Sequence, residues 1–369
     1  MLQRMLAVCA IAVFAAGCGG GGSSTPGGVS TPPTTAPTVA PTVPPRTLSG
    51  SITEFSAGLS SNSRPTGITA GPDGNLWFTE HDLHRIGRMT PNGVATEFSA
   101  GITQGSSPLG ITGGPDGNLW FTESTADRIG RITPAGAVTE FSNGIFTGST
   151  APNGVGSGAF PSHIVAGPDG NLWFTESYGN RIGRITPAGT VTEFSAGITP
   201  QAYPIGIARG PDGALWFTES FVDRIGRITT SGTVTEFSAG ISKGSGLDEI
   251  TLGPDGNLWF TEANANKIGR ITPSGTVTEF SAGITTGGTD PFTGGPNQAS
   301  PSGIATGPDG NLWFTETGTN RVARSTPSGV ITEFSAGITG QAQPTGITAG
   351  PNGTVWFAEG STGRIGRVQ

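Results

Sequence analysis

From residue 51 to the C-terminus, apolar and polar positions alternate in short bursts, and no helical period occurs anywhere. Residues 161–195, PSHIVAGPDGNLWFTESYGNRIGRITPAGTVTEFS, hold four runs of strand type divided by turn signals: HIVAG, NLWFTE, RIGRITP and TVTEFS, termed A to D. Pro at the second and Gly at the fourth position of Gly167-Pro168-Asp169-Gly170 suit a tight turn between A and B. Pro187-Ala188-Gly189 supplies a second turn between C and D. The unit recurs seven times, marked by Trp77, Trp120, Trp173, Trp216, Trp259, Trp313 and Trp356 at spacings of 43, 53, 43, 43, 54 and 43 residues. Four antiparallel strands in each unit predict an all-β fold, a seven-bladed propeller.

The two ends of the array predict how the ring closes. The last unit stops at RIGRVQ and lacks strand D, whereas SITEFS at 51–56 is a strand D standing alone. The N-terminal strand is therefore expected to complete the blade that begins at Pro344, which removes the open edges of a broken ring. That gives one propeller domain over 50–369.

Upstream, residues 1–17 read as an export signal: one Arg at position 4, an apolar stretch from Met5 to Ala16, then small residues. Ala15-Ala16-Gly17-Cys18 resembles the lipobox of bacterial lipoproteins, which implies cleavage before Cys18 and its lipidation. Residues 18–49, rich in Gly, Ser, Thr and Pro, cannot bury enough surface to fold and read as a disordered tether. Cys9 leaves with the signal, so no disulfide framework is expected. The chain is expected at the cell envelope, touching the membrane only through its lipid anchor. With 12% charged residues, a net charge of −7 and no basic runs, nucleic acid is not an expected partner.

Alternating strand direction places the A–B and C–D turns on one face of the ring. These barely change: GPDG occurs six times and GPNG once. The B–C and D–A connections, on the other face, vary in sequence and length, and two of them, 143–160 and 282–300, carry about ten extra residues. Binding is expected on this varied face, to a small molecule, peptide or envelope component.

Each strand B ends in a glutamate (Glu80, Glu123, Glu176, Glu219, Glu262, Glu316 and Glu359), a few residues before an Arg or Lys that opens strand C. Sevenfold repetition favours a structural pairing across that hairpin. Residues that break the repeat are better candidates for chemistry. Strand A usually begins Pro-x-Gly-Ile, but blade three reads Pro161-Ser162-His163-Ile164 and blade five reads Leu247-Asp248-Glu249-Ile250. His163, Asp248 and Glu249 form the candidate acid/base cluster, flanking blade four. Glu176, Glu219, Glu262 and Tyr203 are candidate ligand contacts, with Glu176 and Glu262 the candidate ligands of a Mg²⁺ ion. His81 and His84 are expected to be solvated in one exposed loop.

The repeat P-x-G-I-x-x-GPDGxLWFTE-x4-N-[RK]-IGRI, seven to a ring, resembles the streptogramin lyase family over essentially all of 50–369. The resemblance implies a seven-bladed propeller whose enzymatic members linearise a cyclic depsipeptide by Mg²⁺-assisted elimination. It also implies a histidine base at the x of P-x-G-I, an acid two residues earlier, and a metal-side glutamate ending WFTE. Here x is Thr66, Leu109, Ser162, Ile205, Asp248, Ser302 or Thr345, and two residues earlier stand Arg64, Ser107, Phe160, Tyr203, Gly246, Ser300 or Gln343. Only the strand B glutamate carries over. His163, one residue along the strand, is expected on the opposite sheet face. Three readings follow: a binding propeller without chemistry of its own, a divergent lyase in which Asp248, Glu249 or His163 replaces the base, or a passive scaffold held off the membrane by the Pro-rich tether.

Overall fold

The structure, a computed structural model, describes residues 47–148, 158–286 and 298–369. The signal segment, Cys18 and nearly all of the tether lie outside the described residues, as do the middles of the two long D–A connections. Seven four-stranded antiparallel sheets form the blades, each ordered A-B-C-D from the inside out, as in Pro161–Ala166, Leu172–Glu176, Arg181–Ile185 and Val191–Phe194 of blade three. The N-terminal strand Ile52–Phe55 pairs with Arg364–Val368, Ile52 opposite Val368 and Phe55 opposite Ile365, and completes blade seven. Just before it, Leu48, which the sequence places at the end of the tether, is buried against Val355, Phe357 and Val368.

The invariance of NLWFTE follows from the burial of strand B. In six blades its last five residues are fully buried, and TVWFAE of blade seven is buried along its whole length. Each tryptophan stacks on the Phe of its own strand D, as Trp173 does on Phe194 at 5.4 Å between ring centroids. In six blades an arginine of strand C covers the pair, Arg184 lying 5.6 Å from Trp173 and 5.5 Å from Phe194; in blade four Arg227 bonds Asp212 instead, at 2.6 Å. In six blades the indole N–H is satisfied by the turn aspartate, Trp173 Nε1 donating to Asp169 Oδ1 at 3.0 Å, and in blade seven Trp356 Nε1 donates to Thr354 Oγ1 at 2.8 Å. The turn also needs its last glycine, since Gly170 has φ +74.

The buried threonine of strand B ties each blade to the next. Its hydroxyl donates to the carbonyl of the x residue of the following blade: Thr79 to Leu109 at 2.8 Å, Thr175 to Ile205 at 2.6 Å, Thr218 to Asp248 at 2.6 Å. Blade seven has Ala358 in that place, and across the ring closure Thr345 Oγ1 instead donates back toward the Pro65 and Thr66 carbonyls, at 3.3 and 3.4 Å. The glycine of P-x-G-I is explained by the same close approach. A Cβ on Gly67 would stand 2.3 Å from the Leu109 carbonyl oxygen, and one on Gly206 2.6 Å from that of Asp248.

The basic residue opening strand C does not pair with the strand B glutamate, contrary to the hairpin pairing expected from sequence. Arg85 stands opposite Glu80 in the ladder but bonds Glu97 of strand D at 2.5 Å, and Arg224, Lys267 and Arg321 likewise reach Glu236, Glu279 and Glu333. The strand D carboxylates keep some contact with water, whereas Glu80 and its six equivalents are fully buried. A guanidinium following them inward would lose its own hydration.

Candidate functional site

All seven A strands contribute their opening residues to one cavity of about 270 Å³ on the ring axis, at the end where the D–A connections arrive. In every blade the ladder between strands A and B shifts register between the opening residue and the Ile. This bulge breaks the strict alternation of faces. Ser162 and His163, adjacent in sequence, therefore both line the cavity, as do Asp248 and Glu249. The expectation that His163 turns to the opposite face is thus corrected.

His163 and Glu249 hold the position that is glycine in the other five blades, and they stand on either side of blade four. Their side chains meet, Nε2 of His163 lying 2.5 Å from Oε1 of Glu249, each with 24% of its side-chain surface exposed. From its other nitrogen, Nδ1, His163 donates to the Ile205 carbonyl at 3.2 Å. Burial alone would depress the imidazole, but the Glu249 and Asp248 carboxylates overcome it and push His163 up to about 9. At neutral pH the ring is therefore an imidazolium held between a carboxylate and a carbonyl. Asp248 accepts the Ser302 hydroxyl at 2.7 Å. Burial, then repulsion from Glu249, raises its carboxyl above the ordinary value, against the opposing pull of Ser302 and His163.

One wall of the cavity is aromatic. Phe160 stacks on Tyr178 at 4.3 Å, Tyr178 tilts against Tyr203 at 5.7 Å, and Tyr203 stacks on Phe221 at 4.4 Å with planes 5° apart. Of these, Phe160 and Tyr203 line the cavity, while Phe221 is 58% exposed. Side chains of the B–C loops pin the backbone under this wall: Asp127 Oδ1 accepts the Phe160 N–H at 2.9 Å, and Asn180 Oδ1 the Tyr203 N–H at 3.2 Å. Tyr203 is brought to the cavity as a candidate contact; its neighbours Phe160, Tyr178 and Phe221 and the hydroxyl of Ser302 were not singled out. A blade-by-blade comparison could have found the aromatics, because only blades three and four carry them at these places.

Glu176, Glu219 and Glu262 are elsewhere. They are fully buried and do not line the cavity. Burial, reinforced by the neighbouring strand D carboxylate, pushes Glu219 up to about 9 and Glu262 up to about 8, and raises Glu176 well above the ordinary range. Neither carboxyl oxygen of Glu176 or of Glu262 has a hydrogen-bond partner among the described residues. Among the described residues no three His, Cys, Asp or Glu side chains converge to hold a metal. His81 and His84 are not merely solvated: His81 bonds Asp82 at 2.7 Å, and His84 Nδ1 accepts the Ser107 N–H at 3.2 Å.

Fold and cavity together define a closed single-ring propeller with a largely apolar, aromatic-walled pocket on its axis that a few polar side chains enter. The model of the virginiamycin B lyase family matches residues 40–158 and 147–369, and the chain belongs to that family. The crystal structure of selenomethionine-substituted virginiamycin B lyase from Staphylococcus aureus is 37% identical, with a TM-score of 0.73, covering 86% of this chain and 99% of that one. A catalytically inactive histidine-to-alanine variant of the S. aureus enzyme, crystallised with quinupristin, aligns at 37% identity and a TM-score of 0.72 over the same shares of the two chains. A streptogramin B lyase structure is 34% identical, with a TM-score of 0.73, covering 86% of this chain and 97% of that one. No curated protein matches the chain.

Proposed function

We propose that this protein is an exported propeller, held at the cell envelope through a lipid on Cys18, that binds a small molecule, peptide or envelope component in the axial cavity without turning it over. The observation that carries this reading is the contact between His163 and Glu249. Elimination needs a base with a free lone pair aimed at the proton to be removed. The one histidine in the cavity is protonated at neutral pH and engaged at both nitrogens. The aromatic wall and the hydroxyls of Ser162 and Ser302 suit recognition of a ligand with both apolar and polar parts.

The second reading, a divergent lyase that linearises a cyclic depsipeptide, is favoured by one feature. The Asp248 carboxyl faces the cavity with its affinity for protons raised, which suits a general base. In that case Asp248 would take the proton, and the His163 imidazolium would stand ready to hold developing negative charge.

One assay separates the two. Quinupristin is incubated with the purified protein, with Mg²⁺ and with EDTA, and followed by mass spectrometry and calorimetry. Binding with intact antibiotic in both tubes supports the first reading; a linear product of unchanged mass refutes it and establishes the second. Loss of that product in EDTA would assign the metal a part.

A further inference from the structure

The charges that line the axial cavity do not cancel. Three ionisable groups with a sign at neutral pH face it, His163, Glu249 and Asp248, and no Lys or Arg does so among the described residues. The imidazolium of His163 is committed to Glu249 at 2.5 Å. Asp248 is left with one neutral partner, the Ser302 hydroxyl at 2.7 Å, and no cation within ion-pair distance among the described residues. A cavity whose remaining walls include Leu109, Ile205, Phe160 and Tyr203 screens charge poorly. It therefore repels carboxylates and phosphates and attracts a cation.

We infer that the axial cavity recognises a ligand through an organic ammonium group, which pairs with the carboxylate of Asp248 while the aromatic wall formed by Phe160 and Tyr203 covers the ligand's apolar part. This inference rests on the binding function proposed above and gives it a ligand class. Phe160 and Tyr203 are held in place by stacking on Tyr178 and Phe221, and both line the same cavity as Asp248. An ammonium fits this site better than a divalent cation. Mg²⁺ demands several oxygen ligands in near-octahedral array, and Glu249 is already committed to His163. The position of Asp248 is Thr in blades one and seven and Ser in blades three and six, so the repeat itself does not require an acid there.

The test compares three probes of nearly equal shape: 2-phenylethylammonium, neutral 2-phenylethanol and anionic phenylacetate. Each is titrated into the full chain and followed by saturation-transfer NMR and calorimetry. The ammonium is expected to bind roughly tenfold or more tightly than the alcohol, and phenylacetate not to bind. Asp248→Asn is expected to bring the ammonium to the level of the alcohol and leave the alcohol unchanged. If that variant fails to fold, Asp248→Thr, which carries the residue of blade one, serves instead. Equal binding of ammonium and alcohol to the wild type, or an ammonium preference that survives loss of the Asp248 charge, overturns the inference while leaving the cavity a binding site. Failure of all three probes to bind also overturns the inference, while the quinupristin assay decides the binding function separately.

Discussion

His163 and Glu249 replace glycine at the same place in blades three and five, and their side chains meet at 2.5 Å across blade four. In the other blades a Cβ at this place would press on the neighbouring backbone, as it would between Gly110 and Ser162 O at 2.7 Å. Blades three and five carry side chains there instead, and the ion pair joins them.

Removing one partner should show what the pair does. Glu249→Gly restores the residue of the other blades, so the ring is expected to fold. With the carboxylate gone, burial acts on His163 with only Asp248 and the Ile205 carbonyl opposing it, and its titration is expected to fall from about 9. Proton NMR of the His163 ring follows the change directly. An unmoved titration would show that the pair does not hold the proton.

The seven buried strand B glutamates make stability depend on pH. Their carboxyls are raised, to about 8 for Glu80, Glu123, Glu262, Glu316 and Glu359 and to about 9 for Glu219, from an ordinary 4.5. The folded state thus holds protons that the unfolded chain releases above 4.5, and this stability is lost as pH rises through 8 and 9. Strand D partners Glu54, Glu97, Glu236 and Glu279 behave oppositely. Burial works against them, but hydrogen bonds from Thr339, Ser60, Thr199 and Ser242, with the basic residue of strand C, keep them below the ordinary range, so their contribution is lost on acidification. Thermal melts are expected to peak at about pH 5 and decline steadily toward pH 9. Glu219→Gln, which cannot ionise, should flatten the alkaline part of that decline; an unchanged slope would falsify this account.

The threonine tie between blades gives a third expectation. Thr175 Oγ1 donates to Ile205 O at 2.6 Å and accepts the His163 N–H at 3.1 Å. Thr175→Val keeps the shape but leaves both backbone groups without that partner. A loss of about 1–3 kcal/mol is expected in chemical denaturation. No measurable loss would mean that neighbouring blades hold together without this bond.

Closure by the N-terminal strand is testable by truncation. Phe55 stacks on Trp356 at 5.3 Å, and Glu54 pairs with Arg364 at 2.5 Å. A chain that begins at Ala57 loses both and leaves the edge Arg364–Val368 unpaired. It is expected to aggregate, or to melt well below a chain that begins at Thr47, in light scattering and calorimetry. Equal behaviour of the two would show that the ring does not need its closing strand.

Much of the molecule was legible in the sequence because its signals are local. The short run NLWFTE, the GPDG turn and the odd strand SITEFS fix strands, turns and closure within a few residues of each other, and the ring confirms each of them. Comparing one repeat with another also found His163, Asp248 and Glu249, and placed them around blade four. Three things were decided only in the assembled ring. The bulge in strand A turns His163 toward the axis, the arginines choose the strand D carboxylate, and the strand B glutamates withdraw from the site into the blades. None of these follows from spacing along the chain. They depend on how closely seven inner strands converge on one axis and on which charges that convergence removes from water.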